Sequence, residues 1–184
     1  MVNKKANNLP KKDLNATLRK MYYFTKPDES IVPSVMELIK RAIKRLDEMG
    51  IHQWDSVYPD TKTIMADIEK GTLHALMKED KLAGILVLSE YQDPEYNDIQ
   101  WEVPDTRPLI LHRLCLDPAY QGKGISKLMM NHVEEFAHEN RYRSIRLDAF
   151  AENPISVKLY QSLGFTIRGI VHFRKGQFYC FKKM

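Results

Sequence analysis

Apolar and polar residues alternate along this chain at two different periods, which predict helices and strands in turn. Over Val35–Met49 the apolar positions recur three and four residues apart, as on one face of a helix. A strand is predicted before this helix, over Lys20–Thr25, and a shorter helix after it, capped by Asp60 or Thr61 and ending at Lys70. The first third of the chain is therefore predicted to run β-α-α.

The middle of the chain changes to the two-residue period of strands. Leu73–Met77 and Leu82–Leu88 are predicted to form a hairpin around the turn Glu79-Asp80. The second strand is almost continuously apolar, so we expect it to be central and covered on both faces. Residues 89–109 follow as a long polar and aromatic connection. A connection of this length inside a compact domain is usually functional or mobile.

The C-terminal half repeats a strand–helix order and closes with a hairpin. Its predicted elements are strand Leu111–Leu116, a helix with an apolar stripe over Ile125–Phe136, strand 145–149, helix Pro154–Ser162, and a final hairpin of Phe165–Phe173 with Phe178–Lys182 around Lys175–Gln177. The complete order is β-α-α-β-β-β-α-β-α-β-β.

Composition limits the kind of protein that this chain can be. With 184 residues and 43% hydrophobic content, we expect one globular domain over residues 16–184 and a polar, basic, disordered extension over residues 1–15. No apolar run approaches the roughly 18 residues that span a bilayer. No apolar stretch follows the N-terminal lysines, so a secretory signal is not expected either.

Cysteine content and net charge further limit the classes of protein to which this chain can belong. Cys115 and Cys180 fall in predicted strands without disulfide or metal-ligand spacing, which fits a metal-free protein of the reducing cytoplasm. The net charge of +4 suits an anionic cofactor. Lysine and arginine are too scattered to indicate a nucleic-acid-binding module.

The clearest chemical signal is a glycine turn between a strand and a helix. The turn holds Gln121, Gly122, Lys123 and Gly124, and two glycines let successive N–H groups point at one spot. The following helix adds its own unpaired N–H groups, so the segment predicts a site for a phosphate or pyrophosphate. A Walker loop is excluded because glycine, not serine or threonine, follows Lys123. A dinucleotide fingerprint is excluded because Lys127 stands where glycine or alanine is needed.

One phosphate-binding pattern does fit this turn. Gln121, Gly124 and Ser126 occupy the fixed places of Gln/Arg-x-x-Gly-x-Gly/Ala, with serine as a small departure at the last place. Leu114–Ser126 therefore resembles the acyl-CoA pyrophosphate loop of the GNAT N-acetyltransferase superfamily. A second block, Asn153–Phe165, resembles the Asn…Tyr…Gly-Phe block of the same family, in the same order along the chain.

The resemblance implies an α+β GNAT fold, with a mixed sheet of about seven strands. Strands 111–116 and 143–149 would run parallel and splay apart to admit acetyl-CoA, whose amides would pair with the freed backbone groups. The resemblance also implies the cofactor-binding residues Leu114, Cys115, Leu116, Gln121, Gly122, Lys123, Gly124, Ile125, Ser126, Asn153 and Tyr160.

Tyr160 is the first candidate for catalysis. It follows Ser156 by one helical turn and Asn153 by two, so these polar groups share a face. The resemblance implies that its hydroxyl protonates the departing CoA thiolate. The alternative from the residues is a tyrosine at the edge of the core with a hydrated hydroxyl. A backbone N–H of Cys115 or Leu116 would stabilise the oxyanion.

The general base has several candidates. His112 and Arg113 are neighbours on one strand, so alternation places them on opposite faces, and His112 could serve as the base if it faces the cleft. The alternative is a histidine packed under a helix. Glu90 and Glu102, beside the long connection, are rival bases near the substrate.

Trp54 completes the candidate substrate residues. It follows the first long helix, and the resemblance to part of the GNAT family implies that it forms the acceptor wall. The alternative from the residues is a packing anchor between two helices. Together these features predict acetyl transfer from acetyl-CoA to a primary amine, either a small molecule or a peptide, by direct attack. The alternative is a CoA-binding module without catalysis that acts in regulation or interaction. A homodimer is compatible with either reading.

Overall fold

A seven-stranded mixed sheet organises the computed structural model, which describes residues 17–102 and 107–184. The predicted extension over residues 1–15 lies outside the described residues. The strands are β1 (Tyr22–Thr25), β2 (Leu73–Lys78), β3 (Lys81–Ser89), β4 (Leu109–Leu116), β5 (Ile145–Phe150), β6 (Thr166–Phe173) and β7 (Gly176–Lys183). Across the sheet their order is β1-β2-β3-β4-β5-β7-β6, which confirms the predicted number of strands.

In the part of the chain that the structure describes, four helices after β1 cover the sheet, and the starts of two of them show the expected caps. They are α1 (Val32–Asp47), α2 (Thr61–Glu69), α3 (Ile125–Glu139) and α4 (Pro154–Ser162), with short 3-10 turns at Glu29–Ile31, Pro94–Asp98 and Pro118–Tyr120. Asp60 caps α2, because its side chain accepts the N–H of Thr63 at 2.9 Å. Asn153 caps α4 by accepting two N–H groups, with Pro154 at the first helical position.

Several predicted boundaries are wrong, among them the start of β4, which is at Leu109 instead of Leu111. The first strand begins at Tyr22 instead of Lys20, because residues 17–21 are helical. The last hairpin turns at Arg174-Lys175, one residue earlier than predicted. There, Phe173 pairs with Gly176, whose φ of 130° lets the chain reverse within two residues.

The apolar residues divide into two layers on opposite faces of the sheet. Leu38 and Ile39 of α1 pack with Ile85 and Val87 of β3, whereas Leu86 of β3 joins the core formed with α3 and α4. Residues 83–88 of β3 are all buried. The prediction that this strand is covered on both faces is therefore confirmed.

The sheet opens between its two parallel strands. β4 and β5 pair only from Leu109 to Leu111 against Ile145 to Leu147, although β4 continues to Leu116 and β5 to Phe150. Beyond this short ladder the facing backbone groups have separated. The predicted splay is present, and it creates the entrance to the cavity described next.

Candidate active site

A cavity of about 810 Å³ fills the splay between β4 and β5. Its walls also include α4, the α1–α2 connection and the β6–β7 hairpin. The predicted site residues that line it are Trp54, His112, Leu114, Cys115, Leu116, Gln121, Gly122, Ser126, Asn153 and Tyr160. Most of the candidates read from sequence thus meet at one place.

The segment 121–126, here called the anion loop, presents bare backbone N–H groups. Gly122 and Gly124 have φ of 74° and 79°, a conformation that turns successive amides to one side. Within the described parts of the chain, no hydrogen-bond acceptor lies on the N–H groups of residues 122–126. The last two of these amides belong to the first turn of α3, whose dipole also favours negative charge. The loop can therefore hold an anion.

The base of the anion loop is fixed by a salt bridge. Asp117 accepts the N–H of Ala119 at 2.9 Å, and its other oxygen accepts two bonds from Arg41 on α1, at 2.9 and 2.5 Å. Asp117 is buried, so this charge-assisted pair ties the end of β4 to the helix layer. The loop is thereby held beside the end of β4, where the splay opens.

Three predicted cofactor contacts support the loop without lining the cavity. Lys123 donates from Nζ to the carbonyl of Ala119 at 2.8 Å, and Gly124 is the N-cap of α3. Ile125 is buried in the core. These contacts set the loop conformation, and the N–H groups of the three residues remain part of the anion loop.

A β-bulge in β4 overturns the expected alternation at His112 and Arg113. Ile85 of β3 pairs with Cys115 and Val87 pairs with His112, so two residues of β4 lie opposite one of β3. Arg113 takes φ of 50° to accommodate the extra residue. As a result, both His112 and Arg113 line the cavity. The expectation that they face opposite sides is wrong.

Arg113 is held in a hydrogen-bond network beside the cavity. Its guanidinium donates two bonds to the Asp67 carboxylate, at 2.8 and 2.7 Å, and a third to the Tyr58 hydroxyl at 2.7 Å. Its charge is therefore already matched. We conclude that Arg113 fixes the cavity wall and the α1–α2 connection in place.

His112 lies against the cavity in a form that makes a weak base. Its Nε2 is 3.0 Å from the carbonyl of Tyr91, which assigns the proton to that nitrogen. Burial, helped by the charge of Arg113, lowers the pKa of His112 to about 4. The ring is neutral at pH 7, and its remaining nitrogen has little affinity for a proton.

The carboxylate of Asp148 on β5 is a functional group that the sequence reasoning missed. It lines the cavity and accepts a hydrogen bond of 2.8 Å from the hydroxyl of Tyr96. Burial raises the pKa of Asp148 to about 6, with the charge of Asp93 adding to the rise. The one available signal was an acidic residue inside the apolar alternation of a strand.

Asp93 joins Asp148 on what we call the acidic wall. It comes from the long connection after β3, lines the same cavity, and burial raises its pKa as well. Tyr96, in the same connection, is buried against Ile99 and Ile110. The connection therefore contributes to the cavity, because it carries one carboxylate and the hydrogen-bond partner of another.

Tyr160 lies inside the cavity on α4. Its ring packs against Phe165 and Phe181, with centroids 5.9 and 5.7 Å away. Burial, together with the charge of Asp148, raises the pKa of its hydroxyl well above the usual value. The hydroxyl is consequently protonated at any physiological pH and can act as a hydrogen-bond donor.

A backbone N–H of β4 also turns toward the splay. The N–H of Asp117 donates to the carbonyl of Ala83 on β3 at 2.9 Å. Successive N–H groups of a strand point to alternate sides, so the N–H of Leu116 points away from β3 and toward the open side. This geometry favours Leu116 over Cys115 as an oxyanion donor. The Cys115 thiol is buried, which raises its pKa and makes it unreactive.

The outer rim of the cavity, here called the basic mouth, joins two connections. Arg174 and Lys175 of the β6–β7 turn both contact Asp55, with N–O distances of 2.8 to 3.2 Å. Trp54, next to Asp55, lines the cavity and also packs on the α1 core. Both expected roles of Trp54 are compatible with this placement.

The structure does not bring Glu90 or Glu102 to the cavity lining. Glu90 is exposed and accepts bonds from Arg107 at 2.8 Å and from the Tyr142 hydroxyl at 3.0 Å. Glu102 forms a salt bridge with Arg168 on β6. Both carboxylates are occupied by partners outside the cavity, so their assignment as rival bases is corrected.

Comparison with known proteins now defines the class. The family model "Acetyltransferase (GNAT) family" matches residues 43–165, so the chain belongs to this family of acetyltransferases. It is 25% identical over 161 residues to the uncharacterized N-acetyltransferase YesJ of Bacillus subtilis, an alignment that covers 84% of this chain and 87% of that protein.

Solved structures confirm the GNAT fold. A GNAT-family acetyltransferase from Streptococcus agalactiae superposes with a TM-score of 0.79 at 20% identity, covering 89% of this chain and 95% of that one. The PaiA N-acetyltransferase of Thermoplasma acidophilum, solved in complex with coenzyme A, superposes with a TM-score of 0.67 at 14% identity, covering 88% and 98%.

Two further observations concern the described residues 17–102 and 107–184. None of their helices combines the length and the apolar character needed to cross a bilayer. No cluster of three His, Cys, Asp or Glu side chains in these ranges is arranged to hold a metal ion.

Proposed function

We propose that this protein transfers an acetyl group from acetyl-CoA to a primary amine by direct attack within a ternary complex. The observation that carries the proposal is the row of unpaired N–H groups at residues 122–126, at the rim of a cavity that also holds Tyr160 and Asp148. Family membership supports the same reading. In this proposal the pyrophosphate binds the anion loop, and the pantetheine amides bind the backbone groups that the splay leaves open.

Asp148 serves as the general base in this proposal. Its carboxylate can bind the ammonium of the acceptor and then take one proton, which frees the nitrogen lone pair for attack on the thioester carbon. A pKa of about 6 makes Asp148 a stronger base than His112, whose pKa is about 4. His112 then shapes the wall beside the reacting carbon.

The remaining groups stabilise charge as the bond to sulfur breaks. The N–H of Leu116 donates to the oxyanion of the tetrahedral intermediate. The hydroxyl of Tyr160 donates to the sulfur as it becomes a thiolate. Because burial raises the pKa of Tyr160, this hydroxyl stabilises the thiolate by hydrogen bonding. Solvent takes the second proton from the nitrogen of the tetrahedral intermediate and delivers the proton that completes CoA-SH.

Two measurements test the proposal. Acetyl-CoA at 100 times its dissociation constant should stabilise the fold by about 2.7 kcal/mol, seen as a raised melting temperature. Free thiol should then appear in proportion to an added amine. An unchanged melting temperature would remove the cofactor assignment, whereas stabilisation without thiol release from any amine would favour the CoA-binding module.

A further inference from the structure

The charges that line the cavity are distributed unevenly along its length. At the inner end, the salt bridge between Arg113 and Asp67 is balanced within itself. The two carboxylates of the acidic wall, Asp93 and Asp148, have no cation within salt-bridge distance among the described residues. The inner end therefore has an excess of negative charge when both are ionised.

The basic mouth has the opposite excess. Arg174 and Lys175 share the single carboxylate of Asp55, so one positive charge is left over. Both cations line the same cavity as the acidic wall. Arg174 is exposed to solvent and Lys175 partly so, which leaves their donors accessible to an incoming anion.

The register of β5 and β7 gives the distance between the acidic wall and the basic mouth, which is comparable with the length of a small molecule. Asp148 pairs with Cys180 of β7, and Lys175 immediately precedes the start of that strand at Gly176. Five residues of extended strand measure about 16 Å, and the side chains of lysine and arginine shorten the remaining gap. One small molecule can therefore contact both ends.

Resting on the proposed function, we infer that the acceptor is an amine that also carries a carboxylate. Its ammonium binds the acidic wall, beside the thioester, and its carboxylate binds Arg174 and Lys175 at the basic mouth in place of part of the Asp55 contact. A diamine or polyamine would instead set its second cation against the excess positive charge of the mouth.

The test uses two acceptors of matched length, 5-aminopentanoate and 1,5-diaminopentane. We expect kcat/KM for thiol release to be at least about tenfold higher with the amino acid, since only its distal group complements the mouth. Replacing both cations, in the variant Arg174→Gln with Lys175→Gln, should abolish that preference through a raised KM. Equal or higher kcat/KM for the diamine in the unmodified protein would overturn the inference.

The β2–β3 hairpin offers a matched control. Lys78→Gln with Lys81→Gln removes the same charge at a turn that does not line the cavity, and it should leave the preference unchanged. A second variant, Asp55→Asn, keeps both cations and weakens their competitor, so the preference for the amino acid should increase. A decrease in Asp55→Asn would contradict the inference even if the double variant fails to fold.

Binding measurements separate this inference from the proposed function. Calorimetry with each acceptor, in the presence of CoA, reports recognition without requiring transfer. Tighter binding of 5-aminopentanoate without thiol release would support the inference and reject catalysis. Thiol release with both acceptors, at equal affinity, would support catalysis and reject the inference.

Discussion

The anion loop and the acidic wall face one cavity but are constructed in opposite ways. The loop presents backbone N–H groups from consecutive residues, and its geometry depends on two glycines and the start of α3. The wall presents side chains from separate elements, Asp93 from a connection and Asp148 from β5, and a third residue, Tyr96, supports one of them. A backbone site fails when the chain cannot adopt its path, whereas a side-chain site fails when one atom is lost.

The largest expected effect is at Tyr160, where the change is a single hydroxyl. Tyr160→Phe keeps the ring that packs against Phe165 and Phe181, so folding should persist. If the hydroxyl stabilises the thiolate, kcat should fall roughly 10²–10³-fold with little change in acetyl-CoA affinity. Steady-state kinetics with an accepted amine measures this. Near-normal kcat would return Tyr160 to a packing role.

Asp148→Asn tests the acidic wall, with an expected loss of roughly 10²-fold or more in kcat/KM. The raised pKa of about 6 adds a pH signature. The carboxylate is the active form, so kcat/KM should fall as the pH drops through about 6. The profile of kcat/KM against pH should lose this acid limb in the Asn variant.

His112→Gln is the matched control for the pH profile. The pKa of His112 is about 4, so the limb near pH 6 should remain in this variant. If instead the limb vanishes with His112 and survives in Asp148→Asn, the histidine is the base and the assignment to Asp148 is wrong.

Gly124→Glu tests the backbone end. The φ of 79° disfavours any side chain, and an added carboxylate repels an anion, so acetyl-CoA affinity should fall about tenfold to a hundredfold. Gly71→Glu is the control, because Gly71 also has a positive φ of 63° but lies outside the anion loop, at the end of α2. It should lower stability without changing affinity. Equal affinity losses in both variants would mean that strain alone is responsible.

The smallest expected effect concerns the layer beneath α3. His74 is buried with its Nδ1 3.0 Å from Nε2 of His132, a residue of α3. Burial first, and then the charge of His132, lowers the pKa of His74 to about 4. Because the folded pKa lies below the unfolded value, stability is complete above about pH 6.5 and decreases as the pH falls toward 4, by about 1–3 kcal/mol.

Denaturant unfolding at pH 7 and pH 5 measures this contribution. His74→Asn should reduce the loss of stability at low pH. His138→Asn, at an exposed position on the same helix as His132, should not reduce it. The variants are compared by the slope of the unfolding free energy against pH. This is needed because the raised pKa of Asp148 makes stability increase as the pH falls over part of this range. An unchanged slope in His74→Asn would show that the buried pair does not titrate.

Features that depend on local sequence patterns could be predicted from the sequence. The glycines of the anion loop, the Asn153 cap and the burial of β3 follow from spacing within a few residues, and each is found in the structure. Such features depend on contacts between near neighbours in the chain. The fold resemblance rested on the same local blocks.

Features that depend on contacts between distant strands could not be predicted from the sequence. The bulge at Arg113 arises from the register between β3 and β4, which single-strand alternation does not reveal. Asp148 becomes a candidate base because burial raises its pKa, and the charge of Asp93, which lies in a connection far earlier in the chain, adds to the rise. Glu90 was misassigned because its partner Arg107 lies at the far end of the long connection.

The short parallel ladder between β4 and β5 has a consequence for the motion of the whole sheet. Among the described residues, the strand pairing between the half that contains β1–β4 and the half that contains β5–β7 is limited to residues 109–111 and 145–147. A molecule bound in the splay would form hydrogen bonds with both strands where they no longer pair with each other. Hydrogen exchange should therefore slow on both strands when acetyl-CoA binds, including at amides that it does not contact.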